Sequence, residues 1–130
     1  MKHLEKLIGP ALEAVEQYLA DKDNIKKVAK EYDGYAASFG ASMRTSGLLP
    51  TLAFYSDYHK DKNKPRRNHL LLALFHVVKQ LNEAAAKSAE DKLLETAVRL
   101  NDKERKKLER DLLNASIAIK LALRNFEQKD

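Results

Sequence analysis

The chain has 130 residues, the length of one domain, and its 44% hydrophobic content is enough for a core and too high for a disordered chain. It carries 24 Lys and Arg against 19 Asp and Glu, a net charge of +5 that points toward an anionic partner without naming one. There is no cysteine, which excludes a disulfide scaffold, thiolate zinc sites and cysteine nucleophiles.

The opening MKHLEKLIGPALEA does not read as a signal peptide, because Glu5 and Gly9-Pro10 interrupt any apolar stretch early. Leu4, Leu7, Ile8, Ala11, Leu12, Val15, Tyr18 and Leu19 recur at three- and four-residue steps and draw one stripe along a helix. Pro10 lies inside that stripe, so the helix either kinks there or begins near it. Asp21-Lys22-Asp23 then predicts a turn, and Ile25, Val28, Ala29 and Tyr32 predict a second short stripe.

A helical stretch follows from Asp33-Gly34-Tyr35 to about Ser46, with Gly47 as its natural stop. Leu48-Leu49-Pro50 restarts the chain, and Pro50 to Tyr58 reads as a short apolar, aromatic helix. Lys60 to Arg67, KDKNKPRR, is the clearest loop. Asn68 is positioned to cap the next helix, expected to run to about Lys87. Its apolar residues from Leu70 to Leu81 surround most of the axis, as in a central helix.

The apolar run from Leu70 to Phe75 and Val77-Val78 is the longest in the chain, and it is broken by His76 and ends at Lys79. It falls far short of the roughly 20 residues that span a bilayer, so a soluble, cytoplasmic protein is expected. Ser88 with Asp91 resembles a capping box before LLETAVRL, and Asn101 with Glu104 makes a better one. The last helix should be about 25 residues long, with Leu108, Leu112, Ala115, Ile119, Ala122 and Phe126 forming a seam. No run alternates convincingly with period two. The expectation is a single all-α domain over 1–130, a bundle of about five to seven helices.

Motifs for nucleotide binding, α/β-hydrolase catalysis and metalloproteolysis are absent. Asp57, His59 and Asp61 alternate as metal ligands can, but no second cluster completes the set, and ordinary polar residues at a helix end explain them. His69 and His76 are seven apart, about 10 Å along a helix, too far for one metal to bridge; partly buried, hydrogen-bonded histidines are expected. No catalytic residue, metal or cofactor is assigned.

Charge is more informative by segment. Lys22 to Lys30 is net +3, Lys60 to Arg67 net +4 and Arg99 to Arg110 net +3, so 29 residues hold +10 and the other 101 hold −5. Concentrated basic segments on a mildly acidic chain suit a surface that tracks phosphates. Candidate nucleic-acid contacts are Lys26, Lys27 and Lys30 in the first segment and Lys60, Lys62, Lys64, Arg66 and Arg67 in the second. Two adjacent arginines offer planar forks for phosphate oxygens. Tyr55 and Tyr58, just upstream, could stack on bases, although burial is the commoner fate of such aromatics.

The segment YAASFGASMRTSGLLPTLAFYSDY from Tyr35 to Tyr58 resembles the small helical fifth subunit of the Cmr (RAMP module) type III-B CRISPR effector complex. The resemblance rests on Arg44 ending a helix, the Thr45-Ser46 linker, Gly47-Leu48, and Thr51-Leu52-Ala53-Phe54, about a fifth of the chain. It implies a non-catalytic building block. Several copies would stack beside the backbone filament that holds the guide RNA and help hold the target RNA paired to it, while other subunits cleave. The resemblance adds Arg44 as a candidate, either touching RNA or pinning two helices through carbonyl contacts.

The leading expectation is therefore an RNA-binding scaffold subunit whose partners are guide and target RNA, other Cmr subunits and copies of itself. A helical adaptor that binds only proteins is the alternative, supported by the seam of the last helix. A small enzyme using Asp57, His59 and Asp61 ranks last.

Overall fold

Leu7, Ala11, Ala14, Val15 and Leu19 are all buried, as the spacing of the first apolar stripe requires. The computed structural model describes residues 2–56 and 64–129. In it, helix α1 (Lys2–Ala14) contains Pro10 within its length, so the helix does not begin there. Its end widens into a π-turn over Val15–Leu19, which keeps Val15 and Leu19 on the buried face.

The next segment departs from its helical reading. Lys27–Ala29 is a short strand, β1, paired in parallel with β2 (Glu127–Lys129) at the far end of the chain. Val28 is buried, but Ile25 is 56% exposed, so no helical stripe forms. The strand's partner lies about 100 residues away, where local periodicity carries no trace of it.

Helix α2 (Glu31–Ser46) stops at Gly47, whose φ of 88° and ψ of −179° suit only glycine. Helix α3 (Leu48–Tyr55) starts immediately after, with Pro50 inside its first turn, where a missing N–H costs nothing. The two helices fold back as a hairpin. Ser42 and Thr51 share a 2.7 Å hydroxyl hydrogen bond, and Phe39 meets Tyr55 edge to face at 5.1 Å.

Helix α4 (Arg67–Val78) is central, with Leu70, Leu71, Ala73, Leu74, Phe75, Val77 and Val78 buried. It ends earlier than expected. Asn82 takes an extended backbone, and its side-chain oxygen accepts from the Ala85 N–H at 3.1 Å, capping a separate short helix, α5 (Glu83–Ala86). Asn68 does not cap α4 either: Arg66 occupies the extended cap position, and Asn68 sits inside the first turn.

Helix α6 (Leu93–Arg99) follows Lys92, not Ser88. The Ser88 hydroxyl instead accepts from Thr96 at 2.7 Å. Helix α7 (Asp102–Leu123) opens on the expected box: Asn101 Oδ1 accepts from the Glu104 N–H at 2.8 Å, and Glu104 accepts from the Asn101 N–H at 3.1 Å. Leu108, Leu112, Ala115, Ile119 and Ala122 are fully buried, and Phe126 packs on the core beyond the helix end. The seam is this domain's own core, built where α7 packs against α1, α2 and α4.

Seven α-helices are present among the described residues, the upper end of the expected range, with the two-stranded sheet as the single departure from an all-α chain. Every helix contributes to one continuous cluster of buried side chains. Among the described residues, no helix is long and apolar enough to cross a membrane.

Candidate nucleic-acid interface

The start of α4 carries the described cations of the second basic segment. Lys64 and Arg67 are exposed, Arg66 is partly buried, and the first turn of α4 contains no acidic residue. Positive side chains at the positive end of a helix dipole repel one another and favour an anion nearby.

Arg67 is held in a particular way. Its guanidinium carbon lies 4.6 Å from the centre of the Phe54 ring and 5.1 Å from that of Tyr35. One cation thus ties the first turn of α4 to both helices of the α2–α3 hairpin. Beneath it, the Tyr55 hydroxyl donates to the Tyr35 carbonyl at 2.9 Å, and burial pushes the Tyr55 phenol up, with the Arg67 charge opposing.

Arg66 lies against Tyr32 and His69. Its Nε is enclosed without a hydrogen-bond partner among the described residues, as is Asn68 Oδ1. Burial pushes the Tyr32 phenol up to about 12, against a hydrogen bond from the Arg66 backbone. Burial also holds the His69 imidazole below its ordinary value, helped by the Arg66 and Lys22 charges. His69 and His76 are both partly buried and hydrogen-bonded, to Tyr32 at 3.0 Å and to Glu13 at 3.4 Å.

A groove of about 840 Å³ runs beside this site, and Lys22 and Lys64 line it together with Asp21, Asp23 and Glu31. Part of the first basic segment therefore approaches the second, though with acids interleaved. Lys26, Lys27 and Lys30 are placed around β1: the Lys26 carbonyl accepts from Glu127, the Lys27 carbonyl accepts from Asp21, and Lys30 precedes α2. Their side chains do not line the groove.

Arg44 is at the opposite end of the hairpin, nine residues along α2 from Tyr35, or about 13 Å. It is exposed and makes no hydrogen bond with another described residue, so it pins no carbonyl among them. Arg105 does that work instead. From the first turn of α7 it donates to the carbonyls of Ala97 at 3.1 Å and Val98 at 2.6 Å, closing the end of α6.

Of the remaining candidates, Lys60, Lys62 and Tyr58, and the alternating Asp57, His59 and Asp61, lie outside the described residues. Among the described residues, no group of three His, Asp or Glu is placed to hold a metal ion.

Tyr55 has the commoner fate of such aromatics: it is 1% exposed, whereas Phe54 is 58% exposed and offers the open ring. Leu48, Thr51, Leu52 and Tyr55 form the buried stripe of α3 at steps of three, one and three, which leaves Phe54 on the outer side.

The family model described as CRISPR-associated protein (Cas_Cmr5) matches residues 6–122, from α1 to the last turn of α7. No curated protein and no solved structure gives a significant match. The family match spans nearly the whole helical core, well beyond the Tyr35 to Tyr58 segment that carries the sequence resemblance, and the chain belongs to the Cas_Cmr5 family of CRISPR-associated proteins.

Proposed function

We propose that this chain is a non-catalytic small subunit of a type III-B (Cmr) RNA-guided, RNA-targeting complex. It stacks with copies of itself beside the backbone subunits and contacts guide and target RNA through basic surface. Base pairing reads the sequence on this reading, while this subunit supplies charge and shape. Cleavage belongs to other subunits. The protein works in the cytoplasm, and its lack of cysteine suits a reducing compartment.

The observation that carries the reading is the cation-rich, acid-free start of α4, with Arg67 fixed in place by two rings. A guanidinium already held costs less entropy to engage with a phosphate. Ile117 and Leu121, one turn apart on the solvent side of α7 and both more than a third exposed, support contact with a further protein surface such as another copy. The seam that favoured a protein-only adaptor is absorbed by the core.

The test is reconstitution of the effector with guide RNA and either the native subunit or Arg66→Glu/Arg67→Glu. The expected result is target RNA retained less tightly by the variant, by tenfold or more, with a shallower dependence on salt. Equal retention at every salt concentration would remove the α4 start from the RNA path.

A further inference from the structure

We propose that Phe54 is a stacking site for an unpaired nucleobase, a deepening that rests on the RNA reading above. The ring is 58% exposed, although α3 has enough apolar residues to bury a complete face without it. Arg67 covers one side of the ring at 4.6 Å, and the 58% exposure that remains is surface a flat ligand can cover. The Tyr55 ring meets Phe54 at 5.7 Å and 73°, a steeply tilted contact that braces the ring from within α3.

The surroundings select the occupant. Helix α3 carries no charged side chain, and the neighbouring α4 start contributes Lys64, Arg66 and Arg67 with no acid in the first turn. An apolar ring beside concentrated positive charge matches a ligand with a flat π surface on a polyanionic backbone, the pairing by which proteins hold single-stranded nucleic acid without reading its sequence. A protein partner would have to bring its own acidic rim to an aromatic anchor.

The chain has no tryptophan, so Phe54→Trp introduces a single indole reporter at the site. The full chain is titrated at low salt with a 12-nucleotide oligoadenylate and with a sugar-phosphate 12-mer of equal charge that lacks bases. The indole emission is expected to be quenched by the first and not by the second. Phe54→Leu is expected to lose roughly 5- to 100-fold in affinity for oligoadenylate while binding the base-free polymer as the native chain does.

Native affinity for both polymers in Phe54→Leu, or unchanged emission at saturation, overturns the stacking site and leaves the RNA reading standing. A change in sedimentation of Phe54→Leu without RNA, and none in RNA binding, assigns the ring to a protein contact and also overturns it. If the native chain binds neither polymer and the assembled complex is indifferent to the α4 cations, both readings fall together.

Discussion

The Tyr32 hydroxyl lies 3.0 Å from His69 Nδ1, joining the first turn of α2 to the first turn of α4. The phenol is the donor when the imidazole is neutral and Nδ1 carries the lone pair. Both groups are shifted by burial toward their neutral forms, so this hydrogen bond is built for a range in which neither is charged.

Its pH dependence follows from the two shifts. The His69 pKa is lowered from 6.5, so its contribution to stability is complete above that value and is lost as pH falls through the lower folded value. The Tyr32 pKa is raised from 10.0 to about 12, so its contribution is complete below 10.0 and is lost as pH rises through the folded value. Thermal melts of the native chain and His69→Gln should differ most near neutrality and converge as pH falls below 6.5. A gap that stays constant with pH would detach this histidine from the acid limb.

Asn82 makes two connections with one side chain. Its amide donates to Asp111 Oδ2 at 2.9 Å, its oxygen caps α5, and both residues are buried. Asn82→Ala should destabilise the fold by about 2–4 kcal/mol, combining a lost bond to a charged acceptor with a lost cap. Urea unfolding measures it, and a cost under about 0.5 kcal/mol would mean water replaces the amide without strain.

Gly47 separates α2 from α3 with a backbone no side chain tolerates. Because ψ is −179° and not near +45°, this is outside the left-handed helical region that asparagine accepts. Gly47→Ala and Gly47→Asn should both cost about 1–3 kcal/mol in chemical denaturation. Recovery of stability by asparagine alone would contradict the geometry. A Cβ at this position meets nothing within 4 Å, so the cost is conformational and not steric crowding by a neighbour.

What could be read in advance was what neighbouring residues decide among themselves. The α1 stripe, the stop at Gly47, the Asn101–Glu104 box and the buried seam of α7 are all settled within one or two turns of helix. Distant partners decided the rest. Asn82 breaks the central helix in company with Asp111, which is 29 residues further on. Arg105 looks like one of six similar cations until α6 presents its carbonyls. Of the candidate site, charge pointed to the α4 start, while nothing in the sequence marked which neighbouring aromatic would face solvent. The hydroxyl of Tyr55 serves a backbone carbonyl inside the hairpin, and the plain hydrocarbon ring beside it faces solvent.

The pairing of β1 with β2 closes a loop of about 100 residues, since Lys27 faces Glu127 and Lys129 reaches Asp21 at 2.8 Å. Bringing together points about 100 residues apart costs an unfolded chain about 4 kcal/mol in loop-closure entropy, more than three residue pairs with an exposed β2 side and a surface ion pair return. That seal cannot initiate folding. It is laid down after α1, α4 and α7 have packed together and brought the two segments close, and with β2 exposed it opens more readily than the helical core.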